Sequence, residues 1–291
     1  MRKLSIYSII LLILSLASAI CVMFFTKSTK DSTSPEIKMN DSEIYASVND
    51  NEEALIKGVY AVDNKDGNVT NTIVIESISN FIEKGRRRIT MVAFDNDNNI
   101  AKATRDIIYT DYTSPKFALE SPFVYYTSRY TDLFTNITAQ DCLDGDISEK
   151  IMVEVDESDV GGSAVSKYSA VISNSAGDVS SLPVTLVIYD PSMKSLLPSI
   201  ELTEYLIYAD KGKSISPLDY IKQIMVDGAS YQRGTDGGFH NVSDPEKVLD
   251  ASRISVENPV NKNEEGVYEI VYSVVGNNGV AGEMRLIVVI E

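Results

Sequence analysis

Hydrophobic and polar positions alternate in two distinct regimes along this chain. Residues 4–25 form one uncharged, largely apolar run behind Met1-Arg2-Lys3. At 1.5 Å of rise per residue, such a run reaches across a hydrocarbon core of roughly 30 Å, and it predicts a membrane-spanning helix. From residue 35 onward the period falls to two. Ile89, Met91 and Ala93 interleave with Thr90 and Val92, and similar runs occupy residues 164–172 and 267–275. Each is followed by a polar turn (residues 95–99, 174–177 and 276–279) and then by a closing β-rich run at 101–109, 184–189 and 285–290. Short alternating runs bounded by Gly, Asn and Asp predict antiparallel sandwiches, and no stretch beyond the N-terminus carries a helical stripe of three turns.

The polar turns repeat as well. Ala61-Val62-Asp63-Asn64-Lys65-Asp66-Gly67-Asn68-Val69 returns about 80 residues later as Ala139-Gln140-Asp141-Cys142-Leu143-Asp144-Gly145-Asp146-Ile147. Met225-Val226-Asp227-Gly228-Ala229 keeps the Asp-Gly core of the pattern. Pro35-Glu36-Ile37, Pro115-Lys116-Phe117 and Pro198-Ser199-Ile200 recur at the same period, so two landmarks agree on three copies of one unit. The predicted organisation is an anchor at 1–25, a polar tether at 26–34, and domains at 35–113, 114–195 and 196–291. The third domain is longer by about 20 residues, a predicted loop near 229–250. The Pro-bearing joints before Pro115 and Pro198 are short, which predicts a stiff rod of units set end to end.

A cleaved secretory signal is the alternative to the anchor, since Ala17-Ser18-Ala19 has the small-x-small form of a cleavage site. The apolar run continues through Ile20-Cys21-Val22-Met23-Phe24-Phe25, longer than a signal needs, which favours the uncleaved helix. Basic residues flank both ends, but the N-terminal side is too short to hold a domain, so residues 26–291 are expected outside the cytoplasm. The formal charge is −16, from 42 acidic and 26 basic residues, and 44% of residues are hydrophobic. That composition describes folded acidic domains and excludes a nucleic-acid partner, which would need clustered Lys and Arg. Two distant cysteines, Cys21 and Cys142, provide no disulfide framework, so the cores alone must hold the domains.

Four features bear on chemistry. Asp63 and Asp66, with Asp141, Asp144 and Asp146 in the second copy, could supply several carboxylate oxygens to Ca2+, or could cap their turns while Gly takes positive φ. Tyr231, Arg233, Phe239 and His240 in the insert are residues that make contact hot spots, so the insert is read either as a ligand-binding loop or as a tolerated insertion. Lys211-Gly212-Lys213-Ser214 lacks the upstream glycine of a phosphate loop. His240 is the one histidine and has no nucleophile context beside it, so no enzyme and no cofactor other than Ca2+ is expected.

The opening Pro-x-Ile, the Ala-x-Asp-x-x-Asp-Gly-x-Val/Ile turn and Ala93-Phe94-Asp95 with its Asn-rich sequel together resemble bacterial immunoglobulin-like, cadherin-like repeats of surface proteins. The resemblance covers residues 35–291, closely for two units and loosely for the third. It implies a β-sandwich fold, and with the apolar run at 4–25 the expected architecture is an all-β chain of three tandem Ig-like sandwiches behind one N-terminal transmembrane helix. The implied role is surface display or adhesion, through a protein or glycan ligand. A passive spacer or envelope assembly factor is the alternative, and a hydrolase using the insert the remote one.

Overall fold

The computed structural model describes residues 2–29, 31–127, 133–155 and 165–291, with side chains of the first helix described for residues 7–23. The chain forms two compact units, residues 1–112 and 113–291. Helix α1 (Arg2–Thr29) opens the first unit. Its described side chains are exposed and mostly apolar, Leu11, Leu12, Leu14 and Leu16 among them, with Ser8, Ser15 and Ser18 interspersed. Among the described residues no helix is long and apolar enough to cross a membrane. The expected span, 4–25, runs past the described side chains at both ends.

The rest of the first unit is a two-layer β structure. Its strands are β1 (Glu36–Met39), β2 (Glu43–Ala46), β3 (Val59–Asp63), β4 (Gly67–Asn68), β5 (Val74–Ile78), β6 (Arg86–Phe94) and β7 (Ile100–Tyr109), with one turn of helix, α2 (Glu52–Leu55), between β2 and β3. One sheet has the order β1-β3-β4 and the other β2-β7-β6-β5. The entering chain thus serves both sheets: β1 runs antiparallel to β3, and β2 runs parallel to β7. Alternation does the packing. Val59 and Ala61 on β3 and Ile89, Met91 and Ala93 on β6 point inward to meet Ile107, while Tyr60 and Val62 point out.

On the outer face, Arg88 on β6 stands opposite Asp106 on β7. Asp106 accepts from Arg88 Nε at 2.7 Å and from Arg86 Nη2 at 2.7 Å, and these two guanidiniums bring its pKa from an ordinary 3.8 down to about 2. A carboxylate with a depressed folded pKa contributes stability that is complete above about pH 4 and lost as pH falls toward 2. Asp106→Asn should therefore lower the unfolding midpoint at pH 6 and flatten its decline between pH 4 and pH 2. A variant that declines as steeply as the parent would assign that acid limb to other carboxylates.

Two further sandwiches share residues 113–291. The first comprises β8 (Lys116–Leu119), β9 (Val124–Tyr126), β10 (Ile137–Asp141), β11 (Gly145–Asp146), β12 (Met152–Val155), β13 (Val165–Ser173) and β14 (Val179–Tyr189). The second comprises β15 (Ser199–Leu202), β16 (Leu206–Ala209), β17 (Ile221–Val226), β18 (Ala229–Arg233), β19 (Phe239–Asn241), β20 (Ile254–Glu257), β21 (Gly266–Val275) and β22 (Ala281–Ile290). Sheet orders β11-β10-β8 with β12-β13-β14-β9, and β15-β17-β18-β19 with β16-β22-β21-β20, repeat the plan of the first unit. The parallel pairs β9/β14 and β16/β22 repeat it too.

These two sandwiches lie side by side, which corrects the expectation of units set end to end. Ile287, on β22, is buried in the core cluster of the preceding sandwich with Phe117, Leu182 and Leu186. The Phe117 N–H donates to Tyr208 Oη at 2.8 Å, Thr185 Oγ1 donates to Glu269 at 2.7 Å, and Lys116 pairs with Glu291. The cause lies in the residues facing away from each core. Val187 and Ile287 are apolar and buried, so these sheets have two faces to cover rather than one.

Candidate metal centre

The turn after β3 resolves into two functions carried by the two oxygens of one carboxylate. Inward alternation leaves Asp63, the last residue of β3, 4% exposed. Its Oδ1 accepts the N–H groups of Lys65 and Asp66, each at 2.8 Å, a local cap that bends the chain back into β4. Gly67 closes the turn at φ +71° with no atom within 4 Å of where a Cβ would stand, so glycine is required there by conformation and not by crowding. The other oxygen, Oδ2, is buried and has no hydrogen-bond partner.

Two more carboxylates converge on Asp63. Asp95 follows β6 and is 7% exposed; Asn99 donates to its Oδ1 from the backbone at 2.7 Å and to its Oδ2 from the side chain at 2.6 Å. Asp31 comes from the tether. Its N–H donates to Asp97 Oδ2 at 2.9 Å, its carbonyl accepts from Asn99 Nδ2 at 3.2 Å, and its Oδ1 accepts the Thr33 N–H at 2.9 Å, the bond that chiefly lowers its pKa. One oxygen each from Asp31, Asp63 and Asp95 lies within 4.8 Å of the others, the one such grouping among the described residues. Asp31 Oδ2, like Asp63 Oδ2, is buried without a partner. Buried like charges need a counter-charge, and an all-oxygen donor set suits a hard cation such as Ca2+, which accepts irregular geometry and completes its shell with carbonyls and water.

The other expected ligands are engaged elsewhere. Asp66 accepts from the Asn96 N–H at 2.9 Å and from Asn96 Nδ2 at 2.8 Å, tying the β3–β4 turn to the β6–β7 turn. Asp144 does the same in the second copy through Ser175, whose N–H and Oγ both donate at 2.6 Å, while Asp146 caps Ser148. Asp141 repeats the Asp63 cap, with Leu143 and Asp144 N–H groups on Oδ1. Its Oδ2, however, accepts Asn174 Nδ2 at 3.1 Å.

Strand register gives the physical meaning of that difference. Glu36 pairs with Val62, Lys116 with Gln140 and Ser199 with Met225, so Asp63, Asp141 and Val226 are equivalent positions. By the same logic Phe94, Ser173 and Val275 align, and Asp95 becomes Asn174 and then Gly276. Four residues before each opening proline stand Asp31, Asp111 and Lys194. The acidic triad is intact once, has its third member replaced by an amide donor in the second copy, and is gone from the third. Asp227 is not the counterpart of Asp63: with φ +52°, followed by Gly228 at +76°, it makes a tight Asp-Gly hairpin turn and pairs with Arg253 at 2.5 Å. Asp95→Asn should therefore place an Asn174-like donor against Asp63 Oδ2. The expected result is a metal-free protein at least as stable as the parent, with any Ca2+-dependent rise in unfolding midpoint abolished. A retained rise would remove Asp95 from the ligand set.

Sequence reasoning missed Asp31 and Asp95. Asp31 sits in a segment with no apolar periodicity, and Asp95 reads as part of the Ala93-Phe94-Asp95 repeat motif and its polar turn, with nothing to mark it as a ligand. The usable signal was a position-by-position comparison of the copies, in which the Asp95 position loses its acid in the second copy and the Asp31 position in the third.

The insert is built of strands and not of loop. Tyr231 and Arg233 lie on β18 and Phe239 and His240 on β19, paired in register around a turn at residues 234–238. Phe239 is 4% exposed in the core and Tyr231 packs partly against it. Arg233 pairs with Asp219, and His240 holds Asp236 at 3.0 Å and the Pro245 carbonyl at 2.8 Å, contacts that raise the His240 pKa, the Pro245 carbonyl first.

No family model and no curated protein matches the chain. Similar solved structures include the M60 catalytic domain with CBM51 domains from Clostridium perfringens ZmpB, at 11% identity and TM-score 0.21, covering 89% of this chain and 31% of that one. Mouse cadherin-23 EC22-24 is similar at 10% identity and TM-score 0.20, over 89% of this chain and 99% of that one. Drosophila N-cadherin EC1-4 is similar at 14% identity and TM-score 0.23, over 80% and 63%. The chain thus spans about a third of the first of these structures. Superpositions this loose carry no argument about function, and the all-β sandwich fold rests on the strand orders and registers described above.

Proposed function

We propose that this chain is a non-catalytic extracytoplasmic binding module, held at a membrane by residues 4–25 and fastened at the base of its first sandwich by Ca2+. The observation that carries this reading is the convergence of Asp31, from the tether, with Asp63 and Asp95, where two buried carboxylate oxygens have no partner. Three carboxylates topped up by water make a weak site. Such sites fill at the 10⁻⁴–10⁻³ M Ca2+ found outside cells rather than at cytosolic levels. The apolar run carried by helix α1 supports the same placement. The third sandwich, with its extra hairpin, is the unit assigned to binding a protein or glycan in surface adhesion. The spacer alternative would leave that hairpin without a ligand.

Trypsin added to intact cells expressing the full chain tests placement and clamp together, because Lys30 immediately precedes Asp31. Cleavage at Lys30 should be rapid in chelator and slowed several-fold in 2 mM Ca2+, and Asp63→Asn should abolish that protection. Cleavage only after lysis would place the domains inside and sink the reading. Cleavage at equal rates with and without Ca2+ would retain the placement and remove the clamp.

A further inference from the structure

We propose that the third sandwich takes its partner by strand addition: an extended protein segment of alternating apolar and basic residues pairs with the free edge of β20. This rests on the adhesion reading above and names its ligand class. In its sheet, β20 pairs with β21 alone, and among the described residues no strand pairs with its other edge. Along that edge runs a groove of about 530 Å³. Ile254 and Val256 form one wall and Leu218, Phe239, Val248 and Leu249 contribute much of the rest. Ser255 and Glu257, the alternate residues of β20, are exposed.

The groove follows from how the insert is built. The Leu249 N–H donates to the Phe239 carbonyl at 2.8 Å and the Asn241 N–H to the Lys247 carbonyl at 2.8 Å, so residues 247–249 close the edge of the β18–β19 sheet. The chain then crosses to the other sheet through the 3-10 turn Ala251–Arg253, capped by Asp250, and emerges as β20. One sheet edge is thus covered and the facing one is open, with an apolar seam between them. An incoming strand about 4.8 Å from β20 would satisfy its unpaired backbone groups and send every second side chain into the seam.

Charge selects the occupant. Asp250 and Glu257 adjoin the lining residues in sequence without an ion pair among the described residues, and Asp219 and Asp236 adjoin them already paired with Arg233 and His240. The basic groups nearby are committed: Arg233 to Asp219, His240 to Asp236, Lys247 to Asp244, and Arg253 to Asp227 and the Val275 carbonyl. Glu257 is exposed and has no ion pair among the described residues. The rim therefore favours lysine or arginine at the outward positions of an added strand, and disfavours a second copy of this acidic chain. A glycan fits the walls less well, since Asn258 is the one polar side chain among the lining residues, and sugar recognition needs several convergent hydrogen-bonding groups.

The test uses the full chain in detergent micelles and a fluorescent nine-residue peptide of alternating valine and lysine. Two controls, one of the same composition with its valines contiguous and one with aspartate replacing lysine, are run beside it, together with a glycan array. Saturable binding of the alternating peptide is expected, at least tenfold tighter than either control, with slowed amide exchange confined to β20. Val256→Lys, which puts a charge into the seam, should weaken binding at least tenfold, and the exposed Glu257→Lys, which leaves the core untouched, about fivefold. Equal binding of the contiguous control, or binding without protection of β20, would overturn strand addition. A glycan hit lost in Val256→Lys, with no peptide binding, would overturn it while leaving the adhesion reading in place. No binding of the alternating peptide and none on the glycan array would remove both.

Discussion

Millimolar Ca2+ added to the chelator-treated chain is expected to raise one unfolding transition by about 6–11 °C, and Asp63→Asn is expected to erase that rise. The magnitude follows from mass action. A ligand present at ten times its dissociation constant, binding the native state alone, adds about 1.4 kcal/mol. For a sandwich of fewer than 100 residues, each 1 kcal/mol moves the midpoint by about 4–8 °C. Asp63 is the position to change because its two oxygens have separable duties. Asparagine keeps an oxygen for the Lys65 and Asp66 N–H groups and removes the second carboxylate oxygen, the one with no partner in the metal-free protein. Mg2+ should shift the transition less, since it demands near-ideal octahedral geometry and gives up its water reluctantly. Calorimetry of the full chain in micelles reads all three arms. No rise in the parent at 10 mM Ca2+, or an equal rise in the variant, would leave Asp31, Asp63 and Asp95 as a structural cluster only.

The elements legible in the sequence are those governed by alternation, and the features hidden from it are those set by contacts between elements. The closing run read at 101–109 is β7, Ile100–Tyr109, and the run at 285–290 is the later part of β22, Ala281–Ile290. A period-2 pattern fixes which side chains share a face, and Ile89, Met91 and Ala93 needed nothing more. The same pattern says nothing about a second apolar face. Val187 and Ile287 sit between core-facing neighbours, where the run reads simply as a hydrophobic strand, and so the lateral packing of the last two sandwiches was invisible. The third Asp-Gly turn misled for a related reason. Its spelling matches, but Asp227 is one place further along its strand than Asp63, and register, not spelling, decides which residue faces the centre. In the insert, glycines and polar residues suggested a loop, while the alternation over Phe239 and Asn241 was too short to stand out. Of the cluster Asp31, Asp63 and Asp95, Asp63 stood out from its motif, whereas its grouping with Asp31 and Asp95 depends on how the tether and the β6–β7 turn come together.

Replacing Ile287 by alanine should show whether the last two sandwiches fold as one. Ile287 belongs to β22 of the third sandwich, yet its side chain is 3% exposed within the core of the second. Truncating a buried isoleucine removes three carbons and leaves a cavity that rigid sheets on both sides fill poorly, at a cost of about 3 kcal/mol. If residues 113–291 are one cooperative unit, that cost appears as a downward shift of a single transition, and Ile270→Ala, buried wholly within the third sandwich, shifts the same transition. If the sandwiches are independent, Ile287→Ala costs little and Ile270→Ala splits the transition in two. The polar contacts across the same contact surface bias the outcome toward coupling. Glu269 accepts from Thr185, and Arg285, with one buried Nη1 unpartnered, lies 3.9 Å from Glu269, so separating the sheets would disturb an arrangement of charges as well as exposing apolar surface. Coupling would also bear on binding. Tension applied to a strand added at β20 would then be resisted by two cores instead of one, so Ile287→Ala should shorten bond lifetime under load while leaving equilibrium affinity for the peptide unchanged. Single-molecule pulling on the full chain distinguishes the cases, since an unchanged lifetime would mean that the third sandwich bears the load alone.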